Sequence, residues 1–209
     1  MKTVLCYGDS NTHGTKPLTA LGRRERFDPT VRWPRRLAQR LAGRWEVIEA
    51  GLPSRTTLHD DPIQGAHKNG LTVLPALLES HCPLDRVIVM LGTNDLQVRY
   101  SMTAEDIARS MERLALVILA SGAGPAETAP DVLLVAPPPV EEAGCLHITF
   151  GGGAAKSRDV AGHLRAAADR VGVGFFDAGA HVAPSGVDGV HLDEAGHAAL
   201  AEALAATFD

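Results

Sequence analysis

Residues 4–11 have the sequence V-L-C-Y-G-D-S-N, in which four apolar residues lead into a short polar turn. An apolar run of this length, ended by glycine and aspartate, predicts a strand that is buried on both faces. Strands of this kind are typical of parallel sheets, because helices cover both faces of such sheets. Ser10 follows directly after the predicted strand, at the point where the chain has to turn.

The rest of the chain alternates between strand and helix patterns. The predicted strands are at residues 4–7, 47–48, 87–91, 132–136 and 173–176. Apolar residues with helical spacing predict helices near residues 33–41, 71–78, 107–118, 160–171 and 193–206. The alternation predicts an α/β fold, with a parallel sheet covered on both faces and ligands bound beyond the carboxyl ends of the strands. No repeat or linker interrupts the pattern, so we expect one domain over residues 1–209.

Composition and charge argue against several classes of protein. Hydrophobic residues make up 45% of the chain and charged residues 22%, as in globular proteins rather than disordered or fibrous ones. The net charge of −5 and the scattered lysines and arginines indicate no nucleic-acid partner. No apolar run approaches the roughly 20 residues that span a membrane, and no targeting pattern precedes the first strand. We therefore expect a cytoplasmic protein with no membrane partner.

Three polar motifs contain the residue types that acyl transfer requires. Ser10 follows the first strand, where its hydroxyl can act as a nucleophile. Asp188 and His191 stand three residues apart in D-G-V-H, so a carboxylate can orient the imidazole that removes the serine proton. Asn94 follows another buried strand, in L-G-T-N-D, and its amide can stabilise an oxyanion at the same edge of the sheet.

Each of these motifs has a purely structural explanation when it is considered alone. Ser10 and Asn94 are residue types that commonly form turns, and an Asp-x-x-His sequence is more often a loop with a surface histidine. The Ser10 segment also departs from the G-x-S-x-G nucleophile elbow, because Thr12 stands where the second glycine is required. The three motifs together, in this order, favour a serine esterase that acts through an acyl-enzyme.

The motifs resemble the four sequence blocks of the SGNH hydrolases, also called GDSL esterases. The corresponding segments are Gly8-Asp9-Ser10, E-A-G-L-P-S-R-T at residues 49–56, Gly92-Thr93-Asn94-Asp95 and Asp188-Gly189-Val190-His191. The resemblance implies a three-layer α/β/α sandwich of the flavodoxin type, with five parallel strands in the order 2-1-3-4-5. It also implies a triad of Ser10, His191 and Asp188. The implied oxyanion hole consists of the Ser10 N–H, the Ser54 N–H and the Asn94 side chain.

More narrowly, the segments E-R-F-D-P-T-V-R-W, V-I-E-A-G-L-P-S-R-T-T and F-F-D-A-G are similar to a bacterial arylesterase and acyltransferase branch. This similarity implies short acyl groups, water or an alcohol as acceptor, and a homo-oligomer with subunit contacts near residues 23–32. Ser54 departs from the usual glycine of the second block. Asn11, His13 and Thr15 make the expected pocket entrance more polar than in that branch. We expect substrate contacts from six residues: Asp9, Asn11, His13, Ile148, Phe150 and Val190.

Two other clusters suggest different chemistry, and neither is favoured. His59, Asp60, Asp61 and His67 are metal-ligand types, but their spacing matches no common metal site, so the segment is interpreted as a polar loop. The glycines at residues 151–153 lack the flanking glycines of a phosphate-binding loop, and we predict a flexible loop beside the pocket. A serine nucleophile with a histidine base requires no metal or organic cofactor, so none is expected.

Three alternatives to simple ester hydrolysis are open. The enzyme could transfer acyl groups to alcohols in preference to water, or it could remove acetyl groups from sugars and other small molecules. A non-catalytic binding module on the same fold is the third and least favoured, because all the catalytic residue types are present.

Overall fold

The computed structural model describes residues 1–208 and contains one five-stranded sheet. The strands are β1 (Lys2–Gly8), β2 (Trp45–Gly51), β3 (Arg86–Met90), β4 (Asp131–Ala136) and β5 (Gly174–Asp177). Their order in the sheet is β2-β1-β3-β4-β5, and every neighbouring pair is parallel. The expected α/β fold and strand order are confirmed.

Within residues 1–208, six α-helices accompany the strands. They are α1 (Ser10–His13), α2 (Trp33–Arg40), α3 (Gly70–His81), α4 (Ala104–Leu119), α5 (Gly153–Val171) and α6 (Glu194–Ala205). The sequence pattern predicts all of them except α1, which is a single turn and too short to have a periodic pattern. None of the helices in residues 1–208 is long and apolar enough to cross a membrane.

Alternate residues of the strands enter two separate apolar cores. In β1, Leu5 and Tyr7 pack with α3, α4 and α5, whereas Val4 and Cys6 pack with α2 and α6. This follows from the twofold alternation of side chains along a strand. Helices therefore cover both faces of the sheet, which gives the three layers of the sandwich.

The helix that follows the His191 loop begins at a well-defined cap. The Asp193 side chain accepts the Gly196 N–H at 2.8 Å. Because α6 begins at Glu194, His191 lies in the loop before the helix and not on its surface. The cap thus separates the polar loop from the packed helix.

The glycines at residues 151–153 differ from the flexible loop that the sequence predicts. Gly152 has a φ of +76° and is the N-cap of α5, and Gly153 is already the first residue of that helix. A left-handed φ is readily adopted by glycine, so the glycine run allows the chain to turn directly into α5.

A third apolar cluster is formed by loops that follow the carboxyl ends of the strands. It contains Leu18 after β1, Leu96 after β3, Leu146 and Phe150 after β4, and Val190 before α6. Loops from distant parts of the chain therefore pack together in one apolar cluster at the edge of the sheet where the polar motifs also lie.

Candidate active site

Ser10 is the first residue of α1, directly after β1 and Asp9. The Asp9 carboxylate accepts the Asn11 N–H at 2.9 Å and caps the turn. A Cβ at position 8 would collide with the Thr12 hydroxyl, so glycine is required at position 8 for Thr12 to pack this close to the end of β1. Ser10 is only 4% exposed, and its position at the end of β1 is fixed by the turn.

His191 and Asp188 complete a hydrogen-bonded chain that begins at Ser10. His191 Nε2 lies 3.0 Å from Ser10 Oγ, and His191 Nδ1 lies 2.6 Å from Asp188 Oδ2. Because the carboxylate can only accept, we assign the imidazole proton to Nδ1, which leaves Nε2 able to accept the serine hydroxyl. In this arrangement an imidazole can act as a general base toward a serine.

Asp188 is buried and nevertheless ionised. Burial raises its pKa, but the hydrogen bond and charge of His191, with backbone N–H donors from His191 and Leu18, bring the pKa below its usual value. Oδ2 accepts the Leu18 N–H at 2.6 Å, and Oδ1 accepts the N–H groups of Val190 and His191 at 3.0 and 2.9 Å. Asp188 is therefore a carboxylate at neutral pH and holds the imidazole in one orientation.

Asn11 joins the nucleophile turn to the histidine loop. Its Nδ2 donates to the Val190 carbonyl at 3.1 Å, and its Oδ1 accepts the Leu192 N–H at 2.9 Å. Both ends of the amide are satisfied inside the protein, and the residue is 1% exposed. Asn11 therefore positions His191 relative to Ser10, and its expected substrate contact stays a prediction.

Asn94 begins a short 3-10 turn after β3, beside Ser10 on the wall of a cavity. Its Nδ2 donates to the Arg55 carbonyl at 3.0 Å, and its Oδ1 accepts from Gln97 Nε2 at 3.0 Å. These partners determine which end of the amide is nitrogen. The second Nδ2 hydrogen has only a distant acceptor, Asp9 Oδ2 at 3.5 Å. It is a suitable donor for a developing oxyanion.

Gln97 is a site residue that the sequence motifs do not identify. It is buried, lines the same cavity, and has an Oε1 atom with no hydrogen-bond partner in residues 1–208. Its donation to Asn94 holds the Asn94 amide in the orientation described above. The only sequence signal is its position three residues after Asn94, within reach of the same turn.

Ser54 adopts a backbone conformation that favours glycine. Its φ is +65°, in the left-handed region. This conformation accounts for the glycine that is usual at this position in the second sequence block of the SGNH hydrolases. Ser54 lines the cavity with Ser10 and Asn94, and its Oγ accepts from Gln64 Nε2 at 3.0 Å. Its N–H makes no hydrogen bond within residues 1–208, so it is a second candidate oxyanion donor.

Two buried charged side chains hold the separate segments of the site together. Arg55 donates from Nη1 to the Gly8 carbonyl at 2.8 Å, and its guanidinium lies 4.2 Å from the centre of the Tyr7 ring. Asp95 accepts the Thr57 N–H at 3.1 Å. The segment around Ser54 is thereby bound to the ends of both β1 and β3.

The cavity beside Ser10 and His191 has a volume of about 160 Å³, roughly the size that holds benzene in a protein core. Its two walls differ in chemistry. The apolar wall is formed by Leu18, Leu146, Phe150 and Val190 of the third apolar cluster. The polar wall is formed by Arg24, Ser54, Gln64, Gln97 and Arg99. The cavity is suited to a small group with an apolar side and a polar side.

The cavity wall contains two of the six substrate contacts expected from the sequence, Phe150 and Val190. Ile148 is 76% exposed and lies outside the wall, although Phe150 close by is buried. A substrate contact by Ile148 stays a prediction. Asp9 is also outside the wall, because its carboxylate is buried and occupied in capping α1. His13 is outside it as well and lies 3.1 Å from the Thr15 hydroxyl through Nδ1.

Burial changes the pKa values of two groups beside the site, Asp9 and His13. Burial raises the pKa of Asp9 to about 6, although the Asn11 N–H and the nearby His191 oppose the change. Burial, followed by the charges of Arg26 and Arg32, lowers the pKa of His13 to about 4. His13 is therefore neutral at neutral pH and adds no positive charge near the cavity.

His59 and Asp61 make structural contacts within their polar segment. Among residues 1–208, no group of three or more His, Cys, Asp or Glu side chains could hold a metal ion. The His59 ring stacks on Tyr100, and Asp61 accepts the N–H groups of Ile63 and Gln64 at 2.8 and 2.9 Å. Asp61 thus forms the turn at residues 61–65.

Comparison with solved structures gives close matches over nearly the whole chain. An aryl esterase from M. smegmatis has 43% sequence identity and a TM-score of 0.94, with 99% of this chain and 98% of that chain covered. Est24, a carbohydrate acetylesterase from Sinorhizobium meliloti, has 40% identity and a TM-score of 0.94, with the same coverage of 99% and 98%. No curated protein matches the sequence.

The sequence also matches a family model, which extends over residues 6–199. That range includes the Ser10, Ser54, Asn94 and His191 segments whose geometry is described above. On this match, and on the similarity to the two esterases, the chain belongs to the GDSL-like lipase/acylhydrolase family.

Proposed function

We propose that the protein is a serine esterase that hydrolyses small carboxylic esters through an acyl-enzyme on Ser10. The observation that carries the proposal is the hydrogen-bonded chain from Ser10 through His191 to Asp188, at the wall of a cavity. Membership of an acylhydrolase family supports the reaction class. The similarity to an aryl esterase and to a carbohydrate acetylesterase supports ester substrates.

In the proposed mechanism, His191 Nε2 removes the Ser10 proton as Oγ attacks the ester carbonyl carbon. The ionised Asp188 stabilises the resulting imidazolium through Nδ1. The Asn94 amide, with the N–H groups of Ser10 and Ser54, binds the oxyanion of the tetrahedral intermediate. His191 then gives its proton to the leaving alcohol, and the same steps with water release the acid and restore Ser10. These residues need no metal or organic cofactor for the reaction.

The size of the cavity favours short acyl groups. A volume of about 160 Å³ leaves little room beside Ser10 for a long chain. Hydrolysis of a series of 4-nitrophenyl esters should therefore fall as the acyl chain lengthens beyond a few carbons. Activity that rises steadily toward long acyl chains would contradict this part of the proposal.

A second candidate is removal of acetyl groups from sugars or other small polyols. It is favoured by the polar wall of Ser54, Gln64 and Gln97, and by the 40% identity to a carbohydrate acetylesterase. Acetylated monosaccharides and aryl acetates, compared by kcat/KM, would rank the two candidates. Adding an alcohol and measuring the new ester against free acid would test whether acyl transfer competes with hydrolysis.

The central test is labelling with a fluorophosphonate probe, followed by mass spectrometry of the peptides. We expect one equivalent of label on Ser10 and none in Ser10→Ala. Ser185→Ala is the matched control, because Ser185 lies near the histidine loop but outside the cavity wall. Full labelling of Ser10→Ala, or unchanged ester hydrolysis by it, would refute the assignment of the nucleophile.

A further inference from the structure

The polar wall of the cavity contains two positively charged side chains. Among the lining residues in the described part of the chain, Arg24 and Arg99 are the only permanently charged side chains, and none is Asp or Glu. The whole chain has a net charge of −5, so this wall differs in sign from the average of the protein. A charged group on a substrate would meet these two arginines when it entered the cavity.

The two arginines come from distant segments and converge on the same turn. Arg24 donates from Nη2 to Gln64 Oε1 at 3.3 Å, and Arg99 Nη1 lies 3.4 Å from Asp61 Oδ1. Both partners belong to the turn at residues 61–65. Gln64 in turn donates to Ser54, so the arginines are linked to the segment with a candidate oxyanion donor.

Most of the hydrogen-bonding capacity of these guanidinium groups is unused. No ion pair within residues 1–208 includes Arg24, and its one side-chain partner is the neutral Gln64. Arg99 has one long polar contact, to Asp61, its guanidinium lies 5.9 Å from the centre of the Tyr100 ring, and its side chain is 29% exposed. A guanidinium carries five N–H donors that match the two oxygens of a carboxylate. The wall therefore has donors and charge ready for an anion.

A neighbouring buried lysine supports this picture of positive charge. Burial lowers the pKa of Lys68, and the charges of Arg24 and Arg55 lower it further, while Asp61 opposes them. The repulsion means that these cations lie close enough to affect one another. An anionic ligand at this wall would relieve part of that repulsion.

We propose that Arg24 and Arg99 form a subsite for a carboxylate, so that the preferred substrates are small esters with a carboxylate on their acyl or alcohol part. This inference rests on the proposed function, since the subsite lies on the cavity beside Ser10. The planar guanidinium groups select a carboxylate by paired hydrogen bonds as well as by charge. The apolar wall receives the hydrocarbon part of the same ester.

The test uses pairs of esters that differ only in charge. For the alcohol part, the pair is 4-acetoxyphenylacetate and its methyl ester, in which a methylene separates the carboxylate from the phenol. For the acyl part, the pair is mono-4-nitrophenyl glutarate and methyl 4-nitrophenyl glutarate, in which the free carboxylate has become a methyl ester. The uncatalysed rate is subtracted for each compound. The measured quantity is the ratio of kcat/KM for the anionic ester to that for the neutral ester.

We expect this ratio to exceed one in at least one pair. Arg24→Gln and Arg99→Gln should each lower it on the order of 5-fold, as for removal of one exposed charge contact. Arg24→Lys should lower it less than Arg24→Gln does, because the charge remains. Added salt should also lower the ratio, because the cavity wall is open to solvent and its charges are screened.

The control variants are Arg23→Gln and Arg109→Gln. Arg23 is next to Arg24 but pairs with Glu25 at 3.6 Å, and Arg109 pairs with Glu105 at 3.1 Å; neither lines the cavity. Each control variant loses one positive charge, as Arg24→Gln does, but away from the cavity. The ratio of the two kcat/KM values should therefore stay at the wild-type value. Circular dichroism of all variants checks that they are folded.

Two results would overturn the carboxylate subsite while leaving the esterase intact. One is a ratio at or below one in both pairs, with neutral esters hydrolysed in a Ser10-dependent manner. The other is an unchanged ratio in both Arg24→Gln and Arg99→Gln. If no ester of any kind is hydrolysed, the proposed function itself fails, and the subsite proposal fails with it.

Discussion

Two buried histidines only six residues apart have very different surroundings. His191 lies in the loop before α6, with Asp188 on one ring nitrogen and Ser10 on the other. His197 lies within α6, accepts the Trp33 N–H at 3.3 Å, and packs edge-on against Phe27. Burial alone therefore does not identify a catalytic histidine. We propose His191 as the base because it has a carboxylate on one ring nitrogen and a serine hydroxyl on the other, beside a cavity.

The largest expected effect separates these two histidines directly. His191→Ala should lower kcat by a factor on the order of 10⁶, because the serine loses its base. His197→Ala should keep kcat per folded molecule and instead lower the free energy of unfolding by about 1–3 kcal/mol. Steady-state kinetics and thermal unfolding of both variants provide the measurement.

His197→Asn is the matched control for this comparison, since its amide oxygen can still accept the Trp33 N–H. It should be more stable than His197→Ala. A folded but inactive His197→Ala, together with an active His191→Ala, would reverse the assignment of the base.

The next effect concerns Asn94, which lines the same cavity as His191. The Asn94 amide should bind the tetrahedral oxyanion more strongly than the neutral ester carbonyl, so its removal acts on kcat. Asn94→Ala should lower kcat on the order of 10²- to 10³-fold. Asn94→Asp should be at least as damaging, because it places a negative charge beside the oxyanion. Normal kcat in both folded variants would reduce Asn94 to a turn-forming residue.

A smaller effect is expected at Gln97, which we expect to act on the oxyanion through its hydrogen bond to Asn94. Gln97→Leu removes one hydrogen bond to the Asn94 amide and should lower kcat by about 5- to 10-fold. Gln97→Glu places an acceptor opposite Asn94 Oδ1 and should be more harmful than Leu. KM should change less than kcat in both variants. Equal changes in KM with a constant kcat would indicate a substrate contact instead of a positioning role.

The smallest effect is a pH dependence of stability that belongs to His197. Burial, followed by the charge of Arg36, lowers the pKa of His197 to about 4. Its ordinary value is about 6.5, so the unfolded chain binds a proton first as the pH falls. The stability linked to neutral His197 is therefore present above pH ~6.5 and is lost as the pH falls toward ~4. The folded His197→Asn variant lacks this titration.

Melting temperatures of wild type and His197→Asn across this pH range test the prediction. The difference between them should shift in favour of His197→Asn as the pH is lowered. A constant difference would mean that His197 titrates alike in both states.

The sequence predicts the strands and long helices well because their signals are local. Apolar runs such as residues 87–91 and helical spacing such as that in residues 107–118 require no knowledge of distant parts of the chain. The order of the strands is different, because it follows from the family resemblance and not from any local pattern. The one-turn helix α1 is too short to produce a periodic signal.

Within the candidate site, the predictable residues are those in motifs. Ser10, Asp188, His191 and Asn94 stand at strand ends or next to a helix start, where their chemistry is visible from the sequence. Gln97 is not predictable, because its role depends on a side-chain contact within a turn.

The polar wall is the other part that the sequence does not reveal. Arg24 and Arg99 line the same cavity only after two distant loops fold against residues 61–65. The exposure of Ile148 is likewise not visible from the sequence. Its apolar side chain suggests a pocket wall, but the loop geometry leaves it exposed between Leu146 and Phe150, which are buried. Exposure within an irregular loop depends on tertiary packing, which single residues do not determine.

The bond between His191 and Ser10 connects residues 181 positions apart. Contacts of such long range form only after much of the chain has collapsed, since the closure of large loops is slow and entropically unfavourable. During synthesis on the ribosome, a chain that ends before His191 has the turn at Ser10 and all five strands, but not the proposed base. Enzymatic activity would therefore appear only after the His191 segment has been made, and its onset in a refolding experiment would report formation of the contact between His191 and Ser10.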